Sequence, residues 1–193
     1  GMVVLDGAQT SMTVAGLVGV ADRGVGKVTI SAGGELDANG PSLDVGINAG
    51  SDGSIVVTGP DSLLSVATWI PMTVGVSGRG SVVVKDQAQV FSTQGVVVAL
   101  RDGSTGSISI SDAGTLFEAH SMLFGELPIP GPPTGGGAGT ITVQNSGKLR
   151  LRAALHIRNS TANPSVIIDN GQIAVGTGAF GPPGSLRVSE NGT

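Results

Sequence analysis

Cysteine is absent, so neither a disulfide framework nor a thiolate metal site can hold this chain together. Tyrosine is absent too, and one tryptophan and four phenylalanines bring the aromatic share to only 3%. Charged residues are scarce at 12%, about half the usual quarter. That excludes a coiled coil, whose flanks need regular charges. Long apolar runs are missing: the longest aliphatic one is Val96–Leu100, far short of the about 20 residues of a spanning helix, so the chain is not expected to be membrane-embedded. The N-terminus has neither the charged n-region nor the apolar h-region of a signal peptide, and Gly1 before Met2 reads as a cloning remnant. An excess of positive charge is lacking as well. A net charge of −4 and a pI near 4.9 have the wrong sign for a nucleic-acid partner.

Glycine is abundant, at 33 of 193 residues, with 10 prolines beside it. The hydrophobic share of 39% is too high for a disordered chain. The length suits one domain, 1–193. Within it a segment recurs: GKVTISAGGELDA from Gly26, GSIVVTGPDSLLS from Gly53, GSVVVKDQAQVFS from Gly80, GSISISDAGTLFE from Gly106 and GTITVQNSGKLRL from Gly139. The steps between leading glycines are 27, 27, 26 and 33. Weaker copies start at Gly1 and Pro164, and residues 160–193 follow the pattern less regularly.

Two and four positions after each glycine stand aliphatic residues: Val28 and Ile30, Ile55 and Val57, Val82 and Val84, Ile108 and Ile110, Ile141 and Val143. This period of two in β-branched residues marks a short strand. Ten positions after the glycine a second column reads Leu36, Leu63, Val90, Leu116 and Leu149. A third strand follows at Leu43/Val45, Met72/Val74, Val96/Val98, Met122/Phe124 and Leu155/Ile157. No repeat has a core of its own, so equivalent strands must stack in parallel to bury their stripes. The sequence therefore predicts an all-β, single-stranded parallel β-helix with about 26 residues and three short strands per coil. About seven coils would make a rod of roughly 35 Å.

The stretches LDVGINAGSDGSIVVTGPDSLLSV and MTVGVSGRGSVVVKDQAQVFST resemble the repeats of type V autotransporter passengers and of PEP-CTERM-associated surface proteins. The resemblance covers most of residues 1–160. It implies a right-handed β-helix on an exported bacterial protein, extracellular or at the cell surface. It carries no catalytic residues, because the shared motif is architectural.

Stacking turns sequence offsets into surface columns. Six positions after the glycine lie Ala32, Gly59, Asp86, Asp112 and Asn145, with Asn170 continuing the series. Asp86 and Asp112 would stand about 5 Å apart. That spacing suits a retaining glycosidase pair or half a calcium site, and equally a ladder of turn residues. In the second strand Lys148, Arg150 and Arg152 alternate with Leu149 and Leu151. They form an expected anion-binding strip for acidic glycan or lipopolysaccharide phosphate, or a merely solubilising face. The same counting puts Leu64, Phe91 and Phe117 on an outer face, as an apolar contact surface, or else in the core. It turns Glu118 inward, an expensive place for a lone carboxylate. Trp69 falls in a corner before the third strand, where it could stack on a sugar ring or cover the coil edge. Residues 127–138 form a proline- and glycine-rich insertion. His120 and His156 have no HExxH or triad context. Asn159–Thr161 and Asn191–Thr193 match glycosylation acceptors, expected to be chance.

The expected function is a non-enzymatic extracellular rod, an adhesin passenger or surface-fibre segment. No cofactor and no metal is expected. The partners would be an acidic glycan or a host or cell surface, with end-to-end or lateral self-association. The rival reading is a polysaccharide lyase or hydrolase; a third is a self-assembling, phage-type fibre subunit.

Overall fold

Val28 and Ile30 stand in register with Ile55 and Val57, and these with Val82 and Val84, Ile108 and Ile110, and Ile141 and Val143. All ten side chains are buried. The computed structural model describes residues 1–125, 136–158, 162–176 and 185–189. Every regular element among them is a strand. In chain order these are β1 (Met2–Asp6), β2 (Ser11–Val14), β3 (Val18–Val20), β4 (Val25–Ser31), β5 (Glu35–Ala38), β6 (Leu43–Val45), β7 (Asp52–Thr58), β8 (Leu63–Val66), β9 (Met72–Val74) and β10 (Arg79–Lys85). They continue with β11 (Gln89–Ser92), β12 (Val96–Val98), β13 (Thr105–Ser111), β14 (Leu116–Phe124), β15 (Ala138–Gln144), β16 (Lys148–Arg158), β17 (Ser165–Asp169), β18 (Gln172–Val175) and β19 (Ser185–Ser189).

The chain is a parallel β-solenoid of about six turns. Its first face is the seven-stranded sheet β1-β4-β7-β10-β13-β15-β17. The second and third faces are two limbs of one sheet, β2-β5-β8-β11-β14 and β14-β12-β9-β6-β3. Three separate strands per coil are thus found as far as β12 and again in β17, β18 and β19. Between them β14 and β16 each run through the bend and serve both limbs. A register shift between Ala119 and Ser121 marks the bend, where β16 holds one residue more than β14.

The leading glycines stack on one another, and sterics explain the column. Gly26, Gly53, Gly80 and Gly106 face the corner that ends the third face, where Ala21, Gly46, Gly75 and Ala99 take left-handed φ values of 56–82°, and Gly139 faces the Phe124 ring. A Cβ on Gly80 would lie 2.2 Å from the Gly75 nitrogen and 2.7 Å from the Val45 oxygen. Nothing larger than hydrogen fits there.

The corner after the first face also has a rule. Gly7, Ala32, Gly59, Asp86, Asp112, Asn145 and Asn170 all have positive φ. Glycine, Asn and Asp tolerate this conformation best. In the coils of Ala32, Asp86 and Asn145 the corner holds three residues, the first two left-handed, and closes by a backbone bond such as Gly34 N to Ser31 O at 2.9 Å. That is a type I′ turn. In the coils of Gly59 and Asp112 the corner holds four residues. Its last one, Ser62 or Thr115, is buried and accepts a hydrogen bond from the preceding coil's turn, Gly33 N at 3.1 Å or Gln87 N at 2.9 Å.

The extra residue corrects the second aliphatic column. Leu36, Leu64, Val90, Phe117 and Leu149 are in register and buried. Leu63 and Leu116, placed inward by a fixed offset of ten, point outward and are only half-buried. The third-face pairs from Leu43/Val45 to Met122/Phe124 are buried as expected. The two glycosylation-type tripeptides and most of the insertion lie outside the described residues.

Candidate functional site

β16 keeps its period of two. Leu149 and Leu151 are buried, while Lys148, Arg150 and Arg152 are exposed on the outer side of the second face. Glu118 of β14 lies directly opposite Arg150. Its carboxylate accepts a hydrogen bond from Arg152 Nε at 2.7 Å and a second from an Arg152 terminal nitrogen, while Arg150 Nη1 stands 3.6 Å from its other oxygen. The side chain of Glu118 is 11% exposed, against 53% for Arg150 and 46% for Arg152.

The inward position expected for Glu118 is therefore wrong by one residue. It points outward, and the two guanidinium groups cover it. Backbone geometry makes this possible: at the bend, Arg152 and Ala153 together stand opposite His120, an extra residue in β16. Such a bulge re-aims a side chain, here sending Arg152 back to the Glu118 carboxylate. Lys148 forms no ion pair among the described residues, and its register neighbours Leu116 and Gln172 are uncharged. One carboxylate thus offsets three cations. The remaining guanidinium N–H groups and the Lys148 ammonium can meet an anion by charge-assisted hydrogen bonds.

The apolar candidates separate. Leu64 and Phe117 are fully buried and belong to the core, so Phe117 offers no contact surface. Phe91 alone of the three is outward and half-buried, in register with Ser65 and Glu118. Trp69 is 77% exposed, with Ile70 beside it at 52%, so it covers little of its coil. The buried Thr68 hydroxyl donates to the Ile70 oxygen at 2.6 Å and so holds the corner around Trp69. From β8, whose coil carries Trp69, to β16 is three steps of the stack, or about 14 Å. Trp69 and the cationic row are thus separate features.

Asp86 and Asp112 do stand in one column, and each accepts a hydrogen bond from a neighbouring hydroxyl. Asp86 accepts from the Thr58 hydroxyl of the preceding coil at 2.8 Å, and Lys85 Nζ lies 3.4 Å away. The Thr58 hydrogen bond holds the Asp86 carboxyl below its ordinary range, with slight desolvation opposing it and the Lys85 charge assisting. Asp112 accepts from Ser111 Oγ at 3.0 Å. Their arrangement is that of a turn ladder. His120 is exposed and stands opposite the bulge, whereas His156 pairs in register with Leu123 on the third face. Among the described residues no three His, Asp or Glu side chains group as metal ligands.

Glu118 is the member of the site that sequence reasoning missed. Its signal was an opposite charge one coil before Arg150, hidden by the longer corner ahead of Phe117. No protein-family model matches the chain, and neither the curated proteins nor the solved structures yield a match.

Proposed function

We propose that the chain is a non-enzymatic rod segment of an extracellular or cell-surface protein, of the adhesin-passenger or surface-fibre type. The observation that carries this reading is the ladder itself. Among the described residues, buried aliphatic columns run from coil to coil between β4 and β15, and Lys148, Arg150 and Arg152 stand exposed on an outer face. Such a stack supplies stiffness along its axis and side-chain rows across it. The resemblance of residues 1–160 to autotransporter and PEP-CTERM-associated repeats supports the bacterial and exported setting. The lyase or hydrolase alternative has weaker support, since Asp86 and Asp112 are occupied by turn hydrogen bonds.

Antibodies raised against the chain should label intact cells of its source. Labelling only after permeabilisation would overturn the surface assignment. Incubation with a panel of acidic and neutral polysaccharides should leave their chain length unchanged. Depolymerisation that is lost in Asp86→Asn/Asp112→Asn would establish the enzyme instead.

A further inference from the structure

We infer that Lys148, Arg150 and Arg152 form a binding site for an acidic polysaccharide, and that Glu118 is its positioning residue. The site rests on the rod reading above only in that this face must meet the outside medium. Glu118 fixes two guanidinium groups through one largely buried carboxylate. Long cationic side chains otherwise lose conformational freedom on binding a ligand. Held by Glu118, Arg150 and Arg152 have lost part of that freedom beforehand, and about half of each side chain remains exposed.

The row also selects the shape of the ligand. Lys148, Arg150 and Arg152 alternate along one strand, so successive positions are about 6.6 Å apart. In the axial direction the neighbours of Lys148 are Leu116 and Gln172, and those of Arg150 are Glu118 and Ala174. Positive charge is therefore a single line across the rod. A linear chain with carboxylate or sulfate groups at intervals can lie along that line. A membrane surface needs a broader patch, of about 4–8 basic residues.

The test is titration calorimetry of the full chain with polygalacturonate, dextran sulfate and neutral dextran, and with vesicles with and without anionic phospholipid. The wild type should bind at least one acidic polymer and not neutral dextran. Lys148→Gln/Arg150→Gln keeps the Arg152–Glu118 pair. It should weaken binding by about tenfold or more and flatten its dependence on salt, with the melting curve retained. Arg101→Gln, outside the row, should bind as the wild type does. Glu118→Gln is the decisive variant. It makes the face more positive, yet it should bind more weakly, because the neutral amide oxygen holds Arg152 less firmly and the amide NH2 no longer attracts Arg150. Equal or tighter binding by Glu118→Gln would show a simple charge effect and remove the positioning role. Unchanged binding by the double variant, binding of neutral dextran, or binding to anionic vesicles alone would overturn the site. None of these results would alter the surface labelling that tests the rod.

Discussion

Gly80 and Gly50 make opposite demands on the same residue type. Gly80 is walled in by the Gly75 nitrogen and the Val45 oxygen, whereas Gly50 has open space around it and a φ of +79°. Gly80→Ala should therefore cost about 3 kcal/mol by overpacking, and Gly50→Ala about 1 kcal/mol for its left-handed backbone alone. Thermal unfolding of the two variants compares them; equal losses would mean that the backbone wall does not fix the glycine column. That column was legible in the sequence, since all five copies begin with it, but its steric cause needed the third corner. The column from Ala32 to Asn170 was legible for a similar reason, being made largely of residues that tolerate positive φ. Asp86 adds a pH dependence to it. Its carboxyl titrates below the ordinary value when folded, so over that interval the unfolded chain binds more protons. The stabilisation is present above the ordinary carboxyl value and is lost as pH falls through the lower, folded one. Thr58→Val removes the main cause. It should lose less stability than the wild type between neutral and acid pH, and an equal loss would sever Asp86 from the effect.

The corners, more than the strands, set the register of this fold. Strand identity follows from period two and β-branched residues, and β4, β7, β10, β13 and β15 carry the expected aliphatic pairs. Corner length does not follow from that pattern. The four-residue corners shift Leu64 and Phe117 inward, so a fixed offset from the glycine misplaced Leu63, Leu116 and Glu118 together. A two-coil alternation was nonetheless present in the sequence. GSDGSIVVTGPDSLL from Gly50 and GSTGSISISDAGTLF from Gly103 share two serines and a hydroxyl residue before the apolar pair. Ser62 and Thr115 are the elements of that alternation. Ser62 Oγ donates to Thr58 O at 2.8 Å and accepts from Gly33 N at 3.1 Å. Ser62→Ala leaves two backbone groups without these partners and should cost about 2 kcal/mol. Thr115→Ser, which retains the hydroxyl toward Gln87 N, should cost markedly less. Urea unfolding of both variants reads the difference, and a neutral Ser62→Ala would show that the corners hold without the hydroxyl.

The whole molecule behaves as a short one-dimensional array, because each coil touches only the coils on either side. Within this chain β1 pairs only with β4, whereas β7 and β10 each have two partners. The inward columns follow the same gradient: Val3 and Met12 are exposed, while Ile55, Leu64, Val82 and Val90 are fully buried. Stability should therefore be highest in the middle of the stack. Native-state hydrogen exchange of the full chain should find the slowest amides in β7, β10 and β13, with those of β1 opening first. A truncation at the centre makes the comparison quantitative. Ile108 stacks between Val82 and Ile141, so Ile108→Ala removes contacts on both sides and should cost about 2–5 kcal/mol. Val3→Ala, half in solvent and with one neighbour, should cost well under half of that. The central truncation should also speed exchange in β10 and β15 together, since a nearest-neighbour array transmits the loss in both directions. If β1 exchanges as slowly as β10 and both truncations cost alike, the coils unfold as a single unit and the array description fails.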